Sequence, residues 1–210
     1  MHLLLTDRLT CPRCGPEFGL ILLAERMGGE RRVRDGVLGC ANCRDGFPVA
    51  DGFGDLRAPP RGDLPAGRAG PEPSDDDAHA ERLQALLGVA EGPGTLALVG
   101  ASAAHAAAVA RRVEGVEVMA LDADTRHWPE APRLTRLTAR PGIPLTSRTL
   151  RGVVVDGTLG DGWVVESCRV VASKGRVVVE NANEATVAVL EGAGLSVLAS
   201  EPGTVVAARA

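Results

Sequence analysis

Four of the five cysteines in this 210-residue chain fall in two pairs of identical spacing, Cys11-Pro-Arg-Cys14 and Cys40-Ala-Asn-Cys43, with 25 residues between the pairs. A two-residue gap lets backbone amides fold back over the thiolates. Two such knuckles offer four sulfurs tetrahedrally to an ion with no geometric preference of its own. Four thiolates leave no open coordination position, so the expected metal is a structural zinc on Cys11, Cys14, Cys40 and Cys43. Iron in a rubredoxin-like site is the other metal that this donor set suits. Without a metal, the pairs would be disulfides or redox CxxC motifs, and nothing in the sequence indicates secretion. A module of under 60 residues buries little core, and zinc binding, worth roughly 10–16 kcal/mol in finger peptides, would supply what packing does not. Cys168 stands alone in an apolar helix-like stretch, Trp163 to Ala172, and reads as a core thiol rather than a nucleophile.

Composition separates the two ends of the chain. All three Phe (Phe18, Phe47, Phe53) lie near the N-terminus, there is no Tyr, and the only Trp residues are Trp128 and Trp163, so the two ends have different cores. A 45% hydrophobic content suits a buried core in the larger part. The net charge is -4: residues 1–57 carry 8 basic and 8 acidic groups, 58–77 carry 2 and 5, and 78–210 carry 13 and 14. No segment is strongly basic, so a nucleic-acid contact would need a local patch. No run reaches transmembrane length, and His2 to Leu5 is too short for a signal h-region, which makes a reducing cytoplasm the expected setting.

Around the cysteines, Leu9-Thr10-Cys11-Pro-Arg-Cys14 and Gly36-Val-Leu-Gly-Cys40-Ala-Asn-Cys43-Arg-Asp-Gly-Phe47-Pro48-Val49-Ala50-Asp51-Gly52 resemble the zinc-ribbon activator subunit of tRNA and translation-factor methyltransferases. The resemblance covers about residues 3–57. It implies a ribbon that docks on a methyltransferase domain through a strand edge and an apolar patch, in this chain or in a separate partner.

Pro59 to Asp77 is a Pro/Gly-rich acidic stretch that reads as a linker ending in a helix N-cap. The expected organisation is a zinc ribbon at 1–57, a linker at 58–77 and a larger domain at 78–210. Residues 78–90 fit a helix with Leu83, Leu86 and Leu87 on one face, stopped by Gly92-Pro-Gly94. From Thr95 short Val/Leu runs alternate with helical ones: TLALV, ASAAHAAAVARRV, VEVMALD, RLTRLTA, GVVVD, a helix near 160–172, GRVVVEN, a helix near 184–192, then LSVLA and TVVAARA. Continuous apolar runs between helices indicate an α/β domain with a mostly parallel sheet covered on both faces, and the last two runs form a hairpin. This order resembles the Rossmann-like class I methyltransferase fold, including the helix-turn-strand Cys168 to Val179 and the helix end Leu190 to Leu195.

In that family S-adenosylmethionine lies over a Gly-rich turn after the first strand. Aligned on Val99-Gly100, this chain has Leu98 where an acid is usual, keeps Gly100, and carries Ser102 and Ala104 in place of later glycines. A Cβ at such positions restricts φ and pushes the backbone away from a ligand. Asp122 closes the second strand, where a carboxylate could accept both ribose hydroxyls. The residues that would meet the cofactor are therefore Gly100, Ser102 and Asp122. Arg140 stands where the family often has an acid near the adenine. Asp156 ends the fourth strand as a candidate without a catalytic signature. His79, His105 and His127 are scattered, with His105 expected on a solvated helix face. Arg126, Arg133, Arg136, Arg140, Arg148 and Arg151 are opposed only by Glu130 and form the best local anion or RNA patch, weighed against a plain solvated face.

Three functions follow. The leading one is a non-catalytic zinc-binding scaffold carrying its methyltransferase-like domain in cis and acting through protein contacts, with a methyltransferase or a second copy as partner. The others are an active methyltransferase with an atypical loop, and a nucleic-acid-binding zinc protein.

Overall fold

The structure, a computed structural model, describes residues 1–64 and 72–210. The paired cysteines sit in a strand-rich segment: a single-turn helix α1 (Leu3–Thr6), then β1 (Thr10–Cys11), β2 (Gly15–Gly28), β3 (Arg32–Cys40), β4 (Gly46–Ala50) and β5 (Phe53–Arg57), each strand antiparallel to the next. Alternation sets its two faces. Leu38 lies opposite Phe47 and both point into the core, whereas their neighbours Val37 and Pro48 pair on the outer face.

Beyond α2 (Asp77–Leu87) come five mutually parallel strands, β6 (Glu91–Val99), β7 (Glu114–Leu121), β8 (Leu134–Arg140), β9 (Leu150–Asp156) and β10 (Val171–Glu180). Helices α3 (Ala106–Arg112) and α4 (Asp161–Val170) make crossovers. After α5 (Thr186–Gly192) the chain ends in the hairpin β11 (Ser196–Glu201) and β12 (Thr204–Ala208), with β12 antiparallel between β10 and β11. This is the Rossmann-like class I methyltransferase-type sheet. Residues 96–99 of β6 and 153–155 of β9 are apolar because both faces of the sheet are covered there: on β6, Leu96 and Leu98 join one hydrophobic cluster and Ala97 and Val99 the other.

The two segments share a single sheet. β5 pairs in parallel with β8, matching Phe53 to Arg136 and Leu56 to Ala139, so the strand order runs β1-β2-β3-β4-β5-β8-β7-β6-β9-β10-β12-β11. One of the two clusters likewise runs from Leu5, Leu38 and Phe47 to Leu137, Ile143 and Val153. A bidentate ion pair crosses the junction, from Arg32 on β3 to Glu117 on β7, at 2.6 and 3.2 Å. The Thr135 hydroxyl donates to the same carboxylate.

Some sequence-based expectations need correcting. The helix at 78–90 ends at Leu87, because Gly88 adopts a left-handed conformation (φ +66°) and donates its N–H to the carbonyls of Gln84 and Ala85. Gly92-Pro93-Gly94 therefore does not stop a helix. It lies in β6, where a Cβ on Gly92 would stand 2.1 Å from the Gly115 carbonyl oxygen, so glycine allows the close approach of β7. The helix expected from Ala101 begins as a 3₁₀ turn, Gly100–His105, and becomes α-helical only at Ala106. The helix near 160–172 stops at Val170, and β10 follows at once. Asp76 supplies the expected cap of α2, accepting from the His79 amide at 3.0 Å. Of the expected linker, residues 65–71 lie outside the described residues.

With side chains 15% and 13% exposed, Arg32 and Glu117 are a largely buried pair. Removing one partner strands the other charge, so Arg32→Met is expected to cost about 3 kcal/mol in equilibrium denaturation, with the Arg32→Met/Glu117→Met double variant recovering most of it. A single variant within about 0.5 kcal/mol of wild type would show that the pair does not couple the segments.

Candidate functional site

The cysteine knuckles come together because β1 turns sharply into β2 at Gly15 (φ +101°), while β3 ends at Cys40 in a turn where the Arg44 amide donates to the Cys40 carbonyl at 2.9 Å. The sulfurs of Cys11, Cys14, Cys40 and Cys43 all lie within 4.8 Å of one another, and the cysteines are free thiols. The Sγ–Sγ separations are 3.6 Å for Cys11 and Cys43 and 3.9 Å for Cys14 and Cys40. A tetrahedron with metal–sulfur bonds of about 2.3 Å has edges of about 3.8 Å, so the cluster fits a tetrahedral zinc. Bound there, zinc would cross-link the two knuckles. Around it, the Asn42 side-chain amide donates to Cys14 Sγ at 3.3 Å, and Arg13 pairs with Asp45 across the knuckles at 2.9 Å. Cys168 is separate, 1% exposed in α4, and burial pushes its thiol up to about 11, as suits a core residue.

A second feature lies at the carboxyl ends of β6, β7 and β8, where open α/β sheets bind ligands. A cavity of about 720 Å³ is lined by Gly100, Asp122 and Thr138 of the sheet ends, by Trp163 on α4, and by a wall that includes Pro12 and Pro16 of the cysteine segment. That wall is held by backbone contacts to the loop after β8, including the Thr10 amide on the Pro144 carbonyl at 2.9 Å. Gly100 and Asp122 thus face the same space. Asp122 is half-buried; one oxygen accepts from the Asp124 amide at 2.9 Å, and burial raises its pKa above the ordinary carboxylate value.

Ser102 does not line this cavity. It is 3% exposed and donates to Glu180 at 2.7 Å, while the other Glu180 oxygen lies 2.9 Å from His79 Nε2. His105, expected in solvent, is half-buried. Its ring centroid lies 4.1 Å from that of His79, and burial followed by the charge of His79 lowers its pKa. Asp156 is not among the residues that line the cavity. One of its oxygens accepts from the Thr158 amide at 3.0 Å and from Asn181 Nδ2 at 3.1 Å. Burial would raise its pKa, but these hydrogen bonds outweigh that and hold it low.

Leu159 was not foreseen. Its Cδ1 lies 2.7 Å from where a Cβ on Gly100 would stand, so an apolar side chain roofs the one remaining glycine of the turn. No sequence signal marks it. Thr138 and the Pro12–Pro16 wall were missed because their placement depends on β5 reaching β8.

The arginine segment does not gather into one surface. Arg136 is 5% exposed and donates to the carbonyls of Asp51, Thr125 and Trp128, Arg133 donates to the Val113 carbonyl before β7, and Arg151 to the Glu91 and Pro93 carbonyls on β6. Arg140 lies instead at the cavity, at the carboxyl end of β8.

No family model and no curated protein matches this sequence. Similar solved structures include the precorrin-6y C5,15-methyltransferase of Geobacter metallireducens, at 13% identity and TM-score 0.50, covering 70% of this chain and 94% of that one. Another is a TehB-like SAM-dependent methyltransferase from Corynebacterium glutamicum, at 13% identity and TM-score 0.48, covering 65% and 90%. A third is a chain of a complex between a Haloferax volcanii methyltransferase activator and a protein described as a methyltransferase, at 15% identity and TM-score 0.47, covering 57% of this chain and 69% of that one. At these identities the likeness is one of fold. Among the described residues no helix is long and apolar enough to cross a membrane.

Two outcomes are expected. Cys40→Ser should lose the bound zinc in elemental analysis and melt well below wild type, whereas Cys168→Ala should keep its metal; unchanged metal content in Cys40→Ser would refute the cage. Because the folded pKa of Asp156 is depressed, its contribution is present above the unfolded value of about 3.9 and lost as pH falls through the folded one. Asp156→Asn should therefore melt lower at pH 7 and show less further loss between pH 5 and 3 than wild type. Parallel Tm–pH curves would contradict this.

Proposed function

We propose that this chain is a zinc-binding, methyltransferase-like scaffold that does not transfer methyl groups and acts through protein contacts. In this reading residues 1–57 are a zinc ribbon of the activator type, 58–77 a linker and 78–210 its partner domain, joined in cis. The observation that carries the proposal is the turn after β6, where the Leu159 side chain stands against Gly100, the one glycine kept there. The pairing of β5 with β8 supports the cis arrangement, since the strand edge by which the ribbon would hold a separate methyltransferase is already used. Ile21 and Leu23, 60% and 66% exposed on β2, give such a scaffold an apolar surface for a partner.

The second reading, an active methyltransferase, is favoured by the cavity and by Asp122 facing it. An RNA-binding role has less support, because Arg136 is buried and the remaining arginines are dispersed. Calorimetric titration of zinc-loaded protein with S-adenosylmethionine and S-adenosylhomocysteine separates the first two. The scaffold predicts no saturable micromolar binding of either; such binding, abolished by Asp122→Ala, would establish the alternative.

A further inference from the structure

The amino end of α2 is fastened to the turn after β6 through side chains that titrate near neutral pH. The Ser74 amide donates to the Ala104 carbonyl at 2.8 Å, and the Asp76 cap fixes the first turn of the helix. His79 then lies on His105, with ring centroids 4.1 Å apart and ring planes inclined by 34°. His79 Nε2 stands 2.9 Å from one oxygen of Glu180 at the end of β10, and the other oxygen accepts from the Ser102 hydroxyl at 2.7 Å. A single carboxylate thus joins α2, β10 and the turn. Further along α2, Ala80, Leu83 and Leu87 form the buried face of the helix.

His105 is the member of this group that cannot hold a charge in place. Its Nδ1 is buried and has no hydrogen-bond partner among the described residues. A charged imidazole carries a proton on both ring nitrogens, so charging His105 puts a donor at Nδ1 where no acceptor stands. The ionisable groups that face it are His79 of α2, Asp76 of its cap and Glu180 of β10; on α3, Arg111 is engaged instead by Asp75 at 3.0 Å and Asp77 at 3.8 Å. Burial and then the charge of His79 disfavour the cation, Glu180 and Asp76 favour it, and the first two prevail, so the pKa of His105 lies below the ordinary histidine value. We propose that the stacked His79–His105 pair is a pH-sensitive latch: a proton taken up from solvent by His105 parts the two rings and frees the amino end of α2 from the turn after β6, while the sheet stays folded. The latch goes beyond the scaffold reading and does not depend on it. A histidine kept neutral by the fold contributes stability above its unfolded value of about 6.5 and loses that contribution as pH falls below it. Between pH 7.5 and 5.5 this one proton can shift the opening equilibrium by at most about tenfold.

The test is hydrogen exchange followed by mass spectrometry on the full-length zinc-loaded protein at pH 7.5 and 5.5, with rates corrected for the intrinsic effect of pH. Peptides from α2 should lose protection several-fold, up to about tenfold, at the lower pH, whereas peptides from β9 and α4 should keep theirs. His105→Phe leaves a planar ring against His79 that takes up no proton, and α2 should then be equally protected at both pH values. His105→Gln is smaller and also uncharged, and it should give the same result if the phenyl ring does not fit. Unchanged protection of α2 in the wild-type protein overturns the latch. So does a loss that spreads equally to β9 and α4, which marks global unfolding, or a pH effect on α2 that persists in both variants.

Discussion

Where β5 lies beside β8, Phe53 to Arg57 match Arg136 to Arg140 residue for residue, and two strands that would each have been a sheet edge become interior. An unpaired edge presents amides and carbonyls that seek any passing strand, so this pairing removes two liabilities at once. It also explains the buried arginine at the junction. Arg136 is kept soluble in the interior by the carbonyls of Asp51, Thr125 and Trp128, one from the cysteine segment and two from the loop after β7. The Arg32–Glu117 pair lies farther toward β7 and gives the junction directional polar contacts that apolar packing lacks.

The same junction builds the cavity. The first knuckle can serve as a wall only because the segment carrying it is anchored to β8 and to the loop that follows, through Leu9 opposite Leu145 and Thr10 on Pro144. The cysteine cluster stiffens that wall from behind, with Cys11 belonging both to the sulfur cage and to the cavity lining. The sulfur cluster and the cavity are thus neighbours, and the short polypeptide between Cys11 and Gly15 belongs to both.

Much of this architecture was legible in local sequence patterns. The CxxC spacing gave the sulfur cluster, and the unbroken Val runs at Val153–Val155 and Val177–Val179 marked strands buried on both faces. What escaped depended on contacts between residues distant in the chain. The partner of β5 lies some 80 residues away, and no periodicity in either strand names the other. Arg136 looked like part of a charged surface because its neighbours in sequence are charged, yet strand alternation puts it under the cysteine segment. His105 sits on an Ala-rich turn that suggests solvent, but the approach of α2 sets His79 against it. The missing glycines after β6 hinted at an altered turn. That Leu159 covers the remaining glycine follows from the path of the chain after β9, which composition alone does not disclose.

Holding the cysteine segment and the α/β segment in one polypeptide changes how their association behaves. Two separate proteins meeting along a strand edge dissociate on dilution and exchange partners at a rate set by their affinity. Here the encounter is unimolecular, its effective concentration fixed by the connecting residues. The stoichiometry is then one to one in every molecule, and neither segment can be titrated away by an excess of competing domains.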